Sequence, residues 1–272
     1  MLSFLFSDVS TGQLFVRMAA TALVVIGVAL AVGRLGPMIG GALAGLPIVL
    51  GPGFYFLVIQ TPPEFVSDAA VYSLLSLCAT QIFLLMYILS ADRVGALPSL
   101  LAALAAWAVS AALFRLLTPQ LLLVMLLFAV VTVTGRRLAA GFIEEASMPA
   151  RAADFHMLLL RALLAGLLVT IVTALASQLG ASASGLLLAF PVGYTVLSVT
   201  IHEQFGSAAV KAALYSAILG TISLGGFCAT LAFSLSFLPP LWAFLAGLVA
   251  SVLITIGVIS QLRSDRRAVR IH

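Results

Sequence analysis

The feature that most constrains this chain is a succession of uninterrupted apolar runs. Each has the roughly 20-residue length that carries an α-helix across about 30 Å of hydrocarbon. Nine can be read, at 14–33, 36–59, 66–90, 96–117, 119–135, 157–178, 180–202, 208–235 and 239–261. Hydrocarbon offers no partner to a backbone N–H or C=O, so a crossing segment is either a helix or a strand of a closed barrel, and continuous runs lack a barrel's alternation. Composition agrees: 8% of residues are charged, against about a quarter in soluble domains, and the mean hydropathy is +1.24. The expected fold is an all-α integral membrane protein of about nine transmembrane helices.

The net charge of +4 comes from twelve arginines and one lysine set against nine acidic residues. The cations lie between the runs and in the tail, with no continuous patch, so membrane topology accounts for them and no nucleic-acid partner is expected. Cys78 and Cys228 fall inside apolar runs, as reduced, small hydrophobes do. His156, His202 and His272 have no companions at ligand spacing, which predicts neither metal nor cofactor. There is no nucleophile-elbow motif and no pair of intramembrane aspartates, so an enzyme is not expected. Residues 1–13 lack the basic flank of a secretory signal and are read as part of the mature chain.

One sizeable polar interruption, 135–155, holds Arg136, Arg137, Glu144, Glu145, Arg151 and Asp154. Arginine bias places this linker and the tail with Arg263, Arg266, Arg267 and Arg270 in the cytoplasm, and counting back five crossings puts the N-terminus outside. Arg34, Arg93 and Lys211 then also fall inside, Glu64 and Asp68 outside, and only Arg115 offends. Heavy use of Ala, Leu and Arg resembles proteins of GC-rich bacteria, so the expected location is a bacterial inner membrane, multi-pass.

Sliding the chain against itself by 144 residues aligns Arg17, Gly36, Gly41 and Pro47 with Arg161, Gly180, Gly185 and Pro191. After a one-residue gap, Ala69-Ala70-Val71-Tyr72-Ser73 meets Ala212-Ala213-Leu214-Tyr215-Ser216, and Leu97-Pro98 matches Leu238-Pro239 further on. The unit is a four-helix repeat, 14–117 and 157–261. Residues 118–156 supply a connecting helix and cytoplasmic linker, and 262–272 a cytoplasmic tail. A single crossing between the copies inverts the second. Two inverted four-helix repeats joined by a central helix are the layout of alternating-access secondary transporters, although layout alone does not fix function.

Pro47 and Pro191 stand near the middle of runs two and seven, where a proline removes a donor and clashes with the carbonyl one turn back. Two proline-broken helices at matching depth point to a substrate site between the repeats. The expected lining is Pro47, Gly51, Gly53, Gln81, Pro191, Gly193, Tyr194, Thr195 and Ser198, supplemented by Thr80, Thr221 and Ser223 as neutral midplane groups. Gly36, Gly40, Gly41 and Gly45 read as close helix packing. Arg17 and Arg161, Asp68 and Lys211, and Tyr72 and Tyr215 are paired by the repeat and read as vestibule or gating positions. No Asp, Glu, Lys or Arg is expected at mid-membrane, which disfavours carboxylate-driven cation exchange.

The expected function is a secondary transporter or exporter of a small anionic, zwitterionic or amphipathic solute. The alternatives are a lipid-handling protein, such as a flippase for a lipid-linked precursor, and a non-transporting structural subunit of a membrane complex. Expected partners are membrane lipids and a small-molecule or lipid-like solute, with self-association left open. The arginine distribution predicts that reporter fusions at Ser7 and at the C-terminus report opposite compartments, outside and cytoplasm; both ends on one side would rule out the inverted arrangement.

Overall fold

A computed structural model describes residues 46–47, 50–117, 119–143 and 180–269, with isolated positions between 12 and 26. Most of the first apolar run and all of the sixth, and with them Arg17, Arg161, Gly36, Gly40, Gly41 and Gly45, lie outside the described residues. Every described element is helical: α1 (Leu50–Gln60), α2 (Pro63–Ser90), α3 (Ala96–Phe114), α4 (Leu121–Ala140), α5 (Gly180–Leu188), α6 (Val192–Ser234) and α7 (Pro240–Val269). Prolines sit where a missing N–H costs nothing: Pro63 and Pro240 each open a helix.

Five stretches are long and apolar enough to cross a membrane: α2, α3, α4, the 55 residues Gly180–Ser234, and Pro240–Gln261. A straight helix of that fourth length would run roughly 80 Å, far beyond the hydrocarbon. It does not run straight. Gly206 has φ 86° and ψ 178°, a left-handed conformation that a side chain would oppose, and it divides α6 into arms 192–205 and 207–234.

Contacts with α2 give the direction of each arm. Along α2, Ser73, Ser76, Thr80 and Tyr87 meet Gly185, Leu186, Ala189 and His202 in rising order, so α5 and the first arm run parallel to α2. Asp92, Gln81 and Ser67 meet Lys211, Thr221 and Ala232, so the second arm runs antiparallel. The chain therefore folds back at Gly206. By the same test α4 opposes the second arm, through Arg136 on Tyr215 and Phe128 beside Gly225, and α7 opposes it too, through Thr255 on Ser223 and Gly247 beside Phe227.

These directions gather the C-terminal ends of α2, α4 and α7 with the Gly206 turn on one side of the bundle. That side carries Asp92, Arg93, Arg136, Arg137, His202, Glu203 and Lys211, while Glu64, Asp68 and Arg115 lie at the other. Helix α4 continues to Ala140, past the apolar run that ends at 135, so Arg136 and Arg137 extend a helix instead of opening the linker. Arginine is a good helix former, and at a helix C-terminus its charge opposes the negative end of the dipole while its stem stays against apolar surface.

Helix α2 is the spine. Leu74, Leu75, Leu77, Phe83, Leu84 and Tyr87 are at most 1% exposed. Leu101, Val109, Leu122, Val130, Leu253 and Ile256 of α3, α4 and α7 face outward, where lipid replaces protein. Since lipid is as apolar as leucine, helices hold together here by close packing, which small residues permit. Gly185 is the tightest such point. A Cβ there would strike the Ala69 carbonyl and come within 2.8 Å of the Tyr72 Cβ. Aromatic edges close the opposite flank, with Phe54, Phe227 and Phe244 linking α1, α6 and α7 at centroid spacings of 5.6 and 5.9 Å. Replacing Gly185 by valine is expected to force α5 off α2 and cost about 1–3 kcal/mol or more by overpacking, read as a lower melting temperature in detergent; an unchanged melt would contradict the packing described.

Candidate substrate site at the helix break

Helix α5 ends at Leu188, and the chain restarts as a helix at Val192. Across the gap, Phe190 N–H donates to Leu187 O at 3.1 Å and Val192 N–H to Phe190 O at 2.7 Å, while Pro191, with no N–H to give, takes φ −75° and ψ 46°. The first regular bond of the new helix is Thr195 N–H to Pro191 O at 2.8 Å. The same bond forms at the other proline, Gly51 N–H to Pro47 O at 2.6 Å. Pro191 thus begins a new helix and is not a kink within one. The two segments touch beside the breaks, where Leu188 Cδ2 packs onto Gly53 with no room for a Cβ.

The carbonyls at the end of α5 meet donors on α2; Leu186 O has lost its helical donor, because Phe190 N–H turns to Leu187 O, while Gly185 O keeps the Ala189 N–H at 3.3 Å as well. Ser73 Oγ donates to Gly185 O at 2.8 Å, Ser76 Oγ to Leu186 O at 2.9 Å and Thr80 Oγ1 to Ala189 O at 3.3 Å. The three hydroxyls lie on one stripe of α2, spaced by three and four residues, and all are buried. A neighbouring helix thus supplies the partners on this side of the break.

The donor side differs. Pro191 offers no side-chain oxygen to the first turn of the new helix. Tyr194, in that turn, is 4% exposed and its hydroxyl has no hydrogen-bond partner. The indole N–H of Trp107 is likewise buried and unpartnered, and its ring meets Phe190 of the break edge to face at 4.7 Å. Thr200 Oγ1, two turns further along, is a third such atom. Buried polar groups without partners are uncommon in native structures and mark places where water or a ligand belongs.

Of the other expected lining residues, Thr195 and Ser198 are buried and turn their hydroxyls onto their own helix, donating to Val192 O at 2.6 Å and Thr195 O at 3.1 Å. Gly51 and Gly193 each have open space where a Cβ would stand. Gln81 does not join this group. Its Nε2 donates to Thr132 Oγ1 at 2.7 Å and Thr221 Oγ1 at 2.8 Å, tying α2, α4 and α6 together. Both threonine hydroxyls donate to their own helices, to Phe128 O and Ile218 O. The amide must therefore present both protons and leave Oε1 unpartnered. One residue along a helix is a turn of about 100°, so with Thr80 facing α5, Gln81 faces away from the break. Ser223 likewise faces α7, in a hydroxyl cluster with Ser251 and Thr255 at 2.6–2.7 Å.

The gating pairs are also separated. Lys211, only 1% exposed, bonds Asp92 at 2.6 Å, whereas its repeat equivalent Asp68 is exposed on the other side of the bundle. The Lys211 amine holds the Asp92 carboxyl below the usual carboxylate range. Its contribution is therefore present above the unfolded pKa of about 3.9 and is lost as pH falls through the lowered folded value, so the Asp92 carboxyl is ionised at neutral pH. Beside it, Tyr87 Oη sits 3.2 Å from His202 Nδ1 and donates to Ala96 O at 3.3 Å. Tyr215 receives Arg136, whose guanidinium lies 4.2 Å over the ring and donates to the hydroxyl at 3.0 Å, while Tyr72 packs at Gly185.

Sequence reasoning missed Ser73, Ser76, Trp107, Asp92 and Thr132. The hydroxyl stripe at 73, 76 and 80 was visible as helical spacing of polar atoms in an apolar run; the other contacts depend on which helices become neighbours. Among the described residues no three His, Cys, Asp or Glu gather as a metal site. Replacing Ser76 by alanine is expected to strand the buried Leu186 carbonyl and cost about 1–3 kcal/mol, seen as a lower melting temperature, with Ser67→Ala, at a 3.5 Å contact, as the near-neutral control. Comparison with family models, with curated proteins and with solved structures finds nothing that matches this chain, so the functional reading rests on this geometry.

Proposed function

We propose that the chain is a secondary transporter or exporter that moves a small solute by alternating access between two inverted repeats, with the solute held at the Pro47 and Pro191 breaks. The observation that carries this reading is the interrupted helix inside the bundle, with buried polar atoms unpartnered beside it and the Pro47 segment packed against it. An interruption buried in protein is tolerated in a membrane chiefly where it borders a cavity.

Three pairs of elements matched by the repeat support the inversion, because each pair runs in opposite directions. Helix α2 opposes the second arm of α6. Helix α3, returning from α2, opposes α7, returning from that arm. Helix α1 leads into α2 through a two-residue turn and so opposes the first arm, which parallels α2. On this reading α2, α3, α4, α5 with the first arm, the second arm and α7 are six crossings, and the Pro47 segment with the first and sixth apolar runs makes nine. The arginine-rich side is assigned to the cytoplasm of a bacterial inner membrane, with the N-terminus outside.

Alternating access predicts that a position at the break is reachable from each side in turn. A cysteine replacing Gly193, in a chain whose buried Cys78 and Cys228 are changed to serine, is expected to react with a membrane-impermeant thiol reagent in both right-side-out and inside-out vesicles. Reaction in neither would reduce the chain to a structural subunit, and reaction from one side alone would make the break a dead-end pocket.

A further inference from the structure

The break is chemically one-sided, and the side left open is the donor side. Where α5 stops, the carbonyls of Gly185, Leu186 and Ala189 are each taken by a hydroxyl of α2. Where the 192–205 arm starts, Pro191 supplies no cap. The first-turn N–H groups of that arm carry the positive end of its dipole, equivalent to about half an elementary charge. Helical side chains lean toward their own N-terminus, which brings the Tyr194 ring toward the break, and its hydroxyl is buried and unpartnered. Trp107, against Phe190 of the break, contributes an indole N–H, which can only donate.

No counter-charge for a cation stands nearby. Among the described side chains the carboxylates are Glu64, Asp68, Asp92 and Glu203, all at helix ends or in the turns between helices. A cation at the break would lose its hydration and meet a positive dipole end and donors. An oxyanion would meet the opposite: N–H and O–H groups already oriented, with the Gly185, Leu186 and Ala189 carbonyls already engaged by α2. The corresponding positions of the first repeat, Leu46 and Leu50 in place of Phe190 and Tyr194, carry no donor side chain, so the chemistry is confined to the second break.

We infer that the second break binds an oxyanion, a carboxylate or phosphate of the transported solute, between the Tyr194 hydroxyl, the Trp107 indole N–H and the first-turn amides of the 192–205 arm. This rests on the transporter reading and narrows its substrate class to anions. Trp107 is its own reporter. The other tryptophan, Trp242, is 63% exposed on the outer surface and can be changed to phenylalanine.

The sole-tryptophan protein, in lipid nanodiscs, is titrated with acetate, benzoate, inorganic phosphate, ethylammonium and acetamide at constant ionic strength. The expected result is a saturable change in Trp107 emission with at least one oxyanion and none with ethylammonium. Tyr194→Phe, which keeps the ring, is expected to raise the half-saturating concentration at least tenfold while leaving the melting temperature unchanged. Response to acetate or benzoate against response to phosphate separates the two sources of oxyanion. Saturation by ethylammonium or acetamide, or an oxyanion response indifferent to Tyr194→Phe, would overturn the anion assignment while leaving a solute site at the break. Silence toward every compound would overturn both, and the break would be a structural joint.

Discussion

In hydrocarbon a helix cannot stop without leaving carbonyls to which nothing around them will donate. The hydroxyls of Ser73, Ser76 and Thr80, on carbonyls at and just beyond the end of α5, are therefore the interaction on which the rest of this structure depends. They let α5 end in mid-bundle, and they lock its register against α2. Gly185 can then seat on Ala69 and Tyr72 without a Cβ between them. With α5 fixed along α2, the 192–205 arm continues parallel to it and delivers His202 to Tyr87.

The next constraint is the return. Gly206 reverses the chain in a single residue, and the second arm then retraces α2 from Lys211 at Asp92 to Ala232 near Ser67. A buried lysine is tolerated beside that turn because Asp92, half exposed at the end of α2, neutralises it while remaining hydrated itself. Arg136 on Tyr215 braces α4 at the same side. The charged contacts lie at the ends of the helices. The described interior is joined by neutral ties, such as Gln81 between Thr132 and Thr221 and the Ser223, Ser251 and Thr255 cluster. Such ties avoid the cost of an uncompensated charge in the membrane.

This division of labour also accounts for where chemistry can still happen. Hydroxyls already bonded to their own helix, as at Ser198 and Thr195, have less to offer a solute. Among the described side chains, the buried polar atoms left without a partner are the Tyr194 hydroxyl and the Trp107 indole N–H at the break, the Thr200 hydroxyl, and Gln81 Oε1.

From the sequence alone came the run of membrane-crossing helices, the all-helical class, Pro191 as a place where a helix fails, and Arg93, Arg136 and Arg137 on one side of the bundle, because each follows from local chemistry: run length, a missing N–H, and where a guanidinium can stay hydrated. Run boundaries were less legible at α4, where arginines extend a helix that hydropathy had ended. The partner of each polar group was decided only by the tertiary structure. Whether Gln81 faces the break or a threonine, whether Lys211 meets Asp68's side of the bundle or Asp92, and whether the freed Leu186 carbonyl needs a solute or finds Ser76 all depend on which helix lies against which face. Apolar runs of nearly uniform composition carry almost no record of that, since lipid and a neighbouring helix present the same chemistry to leucine.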